Sequence, residues 1–386
     1  MTFAVTVERD TLSSLLAAAG SAIDPKSSVH TLHHALFRAS GGYLRVAGTD
    51  LYVGAERGGA AKVHAEGEAL LEYDALSKLV RQLPKADIKI EVGDARATVT
   101  HDGGSFDVGA LDASDFPARP QPHEECTWHR VTAKDLALAI SLVEHMAATD
   151  ATRPALHGVR LELSKHGICA MGANSAGLAS ATVRTDITEW QGTEDPKPIS
   201  KARSLTFPLP SVPALLELLG AAETADLVVT HPDYAFARTT TGDESAVMQV
   251  RLAQQNFPNL GKLIQSTDSV TIVDREDFSK SLRRVGIFSE FGIALSCDGT
   301  QLLLSGKSDR RKGGEAIATN GASKFAKVGL NRKILARCLQ KMPSKRVSIG
   351  HLGSLQPLRI DAKLDAAEAE RLEYMAMIMP LRSADV

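Results

Sequence analysis

Cysteine is scarce in this 386-residue chain. The four residues, Cys126, Cys169, Cys297 and Cys338, lie far apart and form no CxxC pair. That spacing argues against a disulfide framework or a zinc site, and for free thiols in a reducing cytoplasm. Aromatic residues make up only 5% of the chain, so the core must be mainly aliphatic. No stretch approaches the roughly 20 apolar residues of a membrane span. Met1-Thr2-Phe3-Ala4-Val5 has neither the basic start nor the apolar run of a signal peptide. GxSxG, HExxH, P-loop and GxGxxG signatures are missing from any proper context, so neither catalysis nor a cofactor is expected.

A large excess of one charge is also missing, since the net charge is -2. The distribution is uneven. Residues 1–127 carry -6, residues 128–268 carry -3 and residues 269–386 carry +7. An acidic head and a basic tail suit head-to-tail self-association or an internal basic surface.

One pattern occurs three times. Thr6-Val7-Glu8-Arg9-Asp10-Thr11-Leu12 leads to Leu16; Arg130-Val131-Thr132-Ala133-Lys134-Asp135-Leu136 leads to Ile140; Ile272-Val273-Asp274-Arg275-Glu276-Asp277-Phe278 leads to Leu282. Each copy is a short β-branched strand, an acidic residue near a helix start, then apolar residues at helical spacing. A hairpin follows each helix and leads to Gly48, Gly172 or Gly306 at the same offset. A second helix is expected around Leu76, Leu79 and Leu83, around Val212, Leu215 and Leu219, and around Leu335, Leu339 and Met342. Pro84 and Pro343 stop two of these, and Gly220 reads as the C-cap of the third. The reading is an α+β protein of three similar domains, 1–127, 128–268 and 269–386, each an antiparallel sheet covered on one face by two helices.

Several short motifs fall in order inside this repeat: Gly48-Thr49-Asp50-Leu51, Asp115-Phe116-Pro117, Arg153-Pro154-Ala155-Leu156-His157-Gly158-Val159, Asn256-Phe257-Pro258-Asn259-Leu260 and Met379-Pro380-Leu381-Arg382. Together they resemble the bacterial sliding clamp family, the beta subunit of DNA polymerase III. The resemblance covers essentially the whole chain. It implies the DNA-clamp fold in a homodimeric, head-to-tail ring around double-stranded DNA, held without sequence readout. The partners it implies are the DNA polymerase III alpha subunit, the clamp loader and other clamp-motif proteins.

The resemblance also implies a peptide pocket between the second and third domains. Leu156, Leu178, Pro258 and Leu263 would line one side, and Met377, Met379, Pro380, Leu381 and Arg382 the other. Asn331, Ile334 and Leu355 would form an adjoining subsite. Flexible, polarisable methionine suits a surface that takes several partners. One departure stands at the rim. Where the family usually has Thr-Asp-Gly-His-Arg-Leu, this chain has Ala173-Asn174-Ser175-Ala176-Gly177-Leu178. An apolar floor with a wider, uncharged rim is expected, and with it a specialised clamp of altered partner choice as the alternative.

Basic residues on the expected helices are candidates for DNA contact: Lys280, Arg283, Arg284, Arg332, Lys333, Arg337 and Lys341 in repeat three, Lys78 and Arg81 in repeat one, and Lys134 in repeat two. The family resemblance adds Lys26 and Arg153 in loops. At the ring seam it implies Phe106 and Val108 on one side and Ile287 and Phe288 on the other. Asp309-Arg310-Arg311-Lys312 is a basic run where the family's seam is often acidic. Histidines cluster at His30, His33 and His34, and a metal-dependent enzyme built on them is the competing reading.

Overall fold

The computed structural model describes residues 3–122, 125–220, 222–229, 234–242, 244–252, 256–261, 264, 270–321, 323–351, 353 and 355–381. The chain divides into two compact units, 1–137 with 187–199 and 210–254, and 138–186 with 200–209 and 255–386. The three sequence repeats are not the compact units: strands of the middle repeat are shared between the two.

The first unit is built on an antiparallel sheet of fifteen strands among the described residues. Phe3–Glu8 pairs with Asp87–Val92, with Val5 opposite Ile90. Helix Arg9–Gly20 follows at once, with Asp10 in its first turn, where a carboxylate suits the helix dipole. Its buried face is Leu12, Leu15 and Leu16, which joins Phe3, Val5, Val7, Phe37 and Leu44 in one core. Helix Tyr73–Gln82 adds Leu76 and Val80 to that core and stops just before Pro84.

Among the described residues the second unit holds a sheet of eight strands and another of four. Helix Arg275–Val285 begins at Asp274, whose carboxylate accepts from the Glu276 and Asp277 amides at 2.8 and 3.0 Å. Helix Arg332–Lys341 begins at Asn331, which accepts from Lys333 N and Ile334 N. Each cap satisfies amides that the helix itself leaves unpaired. A short helix, Ala366–Arg371, was not foreseen; Asp365 and Glu368 close it with a reciprocal capping box. The Gly220 cap stands where expected. Gly220 does end helix Val212–Leu219, but with φ -60° and ψ -31° it continues right-handed, so no left-handed cap forms.

The three aligned glycines share one cause. A Cβ would lie 2.2 Å from the Ala19 carbonyl at Gly48, 2.3 Å from that of Val143 at Gly172, and 2.9 Å from that of Val285 at Gly306. In each repeat the first helix ends against the hairpin strand, so only a residue without a side chain fits.

The strand registers repeat as well. Gly48 pairs with Ala55, Gly172 with Ala179 and Gly306 with Gly313. On the other flank Val99 pairs with Phe106, Ala237 with Met248 and Ile360 with Ala376. These two sets meet where repeats join. In the first unit Val53–Ala60 pairs with Glu244–Arg251, placing Ala55 opposite Met248. In the second, Gly177–Val183 pairs with Leu372–Ile378, placing Ala179 opposite Ala376. The third equivalents are Arg311–Ala318 and Gly104–Leu111, one in each unit. Among the described residues Arg311–Ala318 is the outer strand of its sheet, and Gly104–Leu111 pairs with Arg96–His101 and, at its end, with Leu70 and Leu71.

Candidate functional site

An apolar cavity of about 200 Å³ opens in the second unit, on the joint between repeats two and three. Its floor is a directly opposed cross-strand pair, Leu178 and Met377, both nearly fully buried. Ala173 stands beside Leu178 across the neighbouring hairpin. Phe257 packs beneath these residues, and Pro258 and Leu260 rise from the same segment to form one wall. Met379, 42% exposed, leans over the mouth from the end of the last strand.

The rim is held by backbone bonds. Asn174 spans the turn: its side-chain amide donates to Met146 O at 3.0 Å, and its side-chain oxygen accepts from Ala176 N at 2.8 Å. Met379 N donates to Ala176 O at 2.8 Å, which ties the C-terminal segment to the same turn. Leu381 N then donates to Gly329 O at 2.8 Å. Gly177 is backed by Met146, and Met146 by Cys338, whose thiol lies 3.9 Å from the methionine sulfur. Burial pushes the Cys338 thiol up to about 12, so it is an inert packing group.

Eight residues anticipated from sequence line this cavity: Leu156, Ala173, Ser175, Gly177, Leu178, Pro258, Met377 and Met379. Ala176 supplies its carbonyl and amide to the rim. Pro380 and Leu381 continue past the mouth toward Gly329. Asn331 serves as a helix cap, Ile334 is half-buried beside it and Leu355 is 83% exposed; none of the three lines the cavity. Leu263 and Arg382 lie outside the described residues. Asn174, Leu260 and Pro357 also line it and were not singled out from sequence. Leu260 was within reach, because it ends the Asn256–Leu260 motif. Pro357 carries no pattern that marks it.

No charged side chain lines the cavity among the described residues. Ligand sites for drug-sized molecules hold roughly 300–1,000 Å³. This one is smaller and mouthed by backbone groups, so it fits apolar side chains of a peptide segment better than a cofactor. Burying one such Leu or Phe contributes about 1.5–3 kcal/mol.

Comparison with known proteins gives the context. A family profile described as DNA polymerase III beta subunit, N-terminal domain, matches residues 1–120. The beta sliding clamp of Streptomyces coelicolor is 25% identical over 98% of this chain and 99% of its own. That of Micrococcus luteus is 27% identical over 81% of this chain and 97% of its own. Over nearly its whole length the chain is similar to bacterial beta sliding clamps. Its fold is that of the sliding clamps: the crystal structure from Bacillus subtilis superimposes with a TM-score of 0.85 at 19% identity, covering 99% of this chain and all of the other. The beta subunit structure from Thermotoga maritima gives 0.84 at 21% identity, over 98% and 99% of the two chains.

Within this clamp fold the candidate DNA cations fall into two groups. Lys78 pairs with Asp74 at 2.7 Å, Lys280 with Glu276 at 2.7 Å and Lys341 with Glu144 at 3.1 Å. Arg284 forks onto Glu315, and Arg332 donates to Gly286 O at 2.6 Å. Arg283 reaches the Ser279 carbonyl at 3.4 Å. The Lys78–Asp74 and Lys280–Glu276 pairs are exposed on both sides, and such pairs hold only about 0–1 kcal/mol, so a phosphate can replace the carboxylate at small cost. Lys26, Arg81, Lys134, Arg153, Lys333 and Arg337 are exposed.

At the unpaired strands, Phe106 is 42% exposed and Ile287 66% exposed, whereas Val108 is buried. Phe288 is half-buried against Gly313, where a Cβ would lie 2.6 Å from its ring. The histidine cluster is occupied internally. His34 Nδ1 lies 3.1 Å from His30 O and His33 Nε2 lies 2.9 Å from Ser27 O. Among the described residues no three His, Cys, Asp or Glu side chains are gathered as a metal set.

Proposed function

We propose that this chain works as a processivity clamp: a homodimeric ring that encloses duplex DNA and tethers a replicative polymerase through the cavity between Leu178 and Met377. The observation that carries the reading is that cavity. It is apolar, shallow, uncharged and rimmed by backbone polar groups, the combination that suits a short linear motif with two or three apolar anchors. The polymerase III alpha subunit, the clamp loader and other clamp-motif proteins are the partners in this reading, in the cytoplasm. The work is tethering and needs no catalysis.

The internal repeat supports ring closure. Two of three equivalent strand pairs form within the chain, and the third set of edges is bare. A second copy supplies the missing strand in each direction, with three domains, 1–127, 128–268 and 269–386, in each copy. Basic side chains on helices Arg275–Val285 and Arg332–Lys341 then hold DNA by its phosphates. Such binding is weak, salt-dependent and indifferent to sequence, which sliding requires.

The test is calorimetric titration of a Gln-Leu-x-Leu-Phe peptide into the wild-type chain, Met379→Ala and Leu178→Asp. Binding by the wild type, weakened in the first variant and abolished in the second, supports the cavity as the tether. No binding by a correctly folded wild type would refute it.

A further inference from the structure

The internal repeat assigns a partner to every position on the two bare strands. In the first unit the pair next to Ala55–Met248 is Gly54 opposite Gln249. In the second the pair next to Ala179–Ala376 is Leu178 opposite Met377, the floor of the cavity. Gly313 is the counterpart of Ala55 and Ala179, and Phe106 that of Met248 and Ala376, by the registers given above. Gly313 therefore faces Phe106 of a second copy, and one step along Lys312 faces Asp107.

The side chains fit that register. Gly313 has no Cβ and the Phe288 ring lies over its place, while Phe106 is exposed in the single chain. Lys312 and Asp107 are both exposed in the single chain. Asp107 is oriented by Thr98, whose hydroxyl donates to it at 2.9 Å. Opposite charges directly across antiparallel strands attract, and like charges there repel.

We infer that a cross-copy ion pair between Lys312 and Asp107 fixes the register of the seam and makes it selective for copies of this chain. The three joints then differ at one equivalent position. Gln249 packs over Gly54 in the first joint, whose side-chain atoms lie about 3.0 Å from where a Cβ would stand. Leu178 and Met377 leave an open apolar site in the second. A lysine and an aspartate close the third. A clamp whose counterpart of Lys312 is acidic would place two negative charges face to face, so mixed rings are disfavoured. This inference rests on the head-to-tail ring proposed above.

The experiment is sedimentation equilibrium of the full chain as wild type, Lys312→Glu, Asp107→Lys and the double variant, with circular dichroism to check folding. Each single variant places like charges at both seams of a ring and should weaken dimerisation at least tenfold. The double variant restores opposite charges and should recover to within about threefold of wild type. A dimeric wild type with a double variant as weak as the two singles combined, or with singles that dimerise normally, would overturn the ion pair alone. A wild type that stays monomeric at micromolar concentration would overturn the ring reading and the pair together.

Discussion

Gly177 and Met146 share space that only one of them can fill. A Cβ at position 177 would lie 2.7 Å from the Met146 terminal methyl and 2.3 Å from the Met377 carbonyl oxygen. The methyl is the flexible end of a side chain, but the carbonyl belongs to the ladder that carries the cavity floor. The glycine at the rim is therefore a packing requirement of this chain as well as an opening of its pocket.

Gly177→Ala should destabilise the protein by about 1–3 kcal/mol, the usual cost of overpacking. It should also weaken the peptide, because Leu178 is displaced with it. Adding Met146→Ala should recover only part of the loss, since the carbonyl contact remains. Denaturant midpoints of the three variants check this; full recovery in the double variant would show that the methyl alone was at fault.

Met377→Ala removes a side chain that is only 2% exposed. A cost of about 2–5 kcal/mol is expected from lost burial and the space left behind. Met379→Ala, at a residue 42% exposed, should change stability by less than about 0.5 kcal/mol. Thermal melts that ranked the two the other way would contradict the division between floor and mouth.

Arg57 is buried in the first joint, where it donates to Ser14 Oγ at 2.9 Å and sits 3.3 Å from a Glu217 carboxylate oxygen. Arg57→Ala should cost about 3 kcal/mol by stranding a partly buried carboxylate. Arg57→Ala with Glu217→Gln should cost clearly less. A double-mutant cycle measures the difference, and strict additivity would rule out the pairing as the cause.

His145 sets a pH limit. Burial first, then the charges of Lys341 and Arg337, lower its imidazole to about 4 in the folded protein. The unfolded chain takes up that proton near pH 6.5 and the folded protein does not. Above pH 6.5 the residue is neutral in both states and stability is unaffected. Between pH 6.5 and 4 stability should fall, by up to about 3 kcal/mol at 1.36 kcal/mol per unit. His145→Gln should flatten that part of the profile in urea titrations; an unchanged slope would assign the acid sensitivity elsewhere.

Much of this architecture was legible in the sequence because its causes are local. Val7, Val131 and Val273 mark strands by β-branching, and Leu12, Leu136 and Phe278 are all fully buried helix anchors, as their spacing requires. The glycines at 48, 172 and 306 aligned because one steric clash recurs three times. Cavity residues such as Leu178, Met377 and Met379 were reached through the family resemblance and not from local pattern alone. Pro357 was not, because its place depends on a fold-wide arrangement that leaves no local trace. The compact units were hidden too, since a strand's sequence does not say whether its neighbour comes from its own repeat or the next.

That sharing of strands has a consequence for synthesis. Thr127–Thr132, Tyr234–Thr241 and Glu244–Arg251 belong to the first unit; Gly158–Ser164, Gly167–Asn174 and Gly177–Val183 belong to the second. On a ribosome the first unit has all its strands once Arg251 has emerged, and can close while translation continues. Gly177–Val183 waits with one edge bare until Leu372–Ile378 arrives, almost at the end of the chain. A growing chain thus carries Leu178 without its Met377 wall for more than half of its synthesis. The cavity is therefore completed only when the last strand pairs, and a chain stopped before Leu372 lacks it.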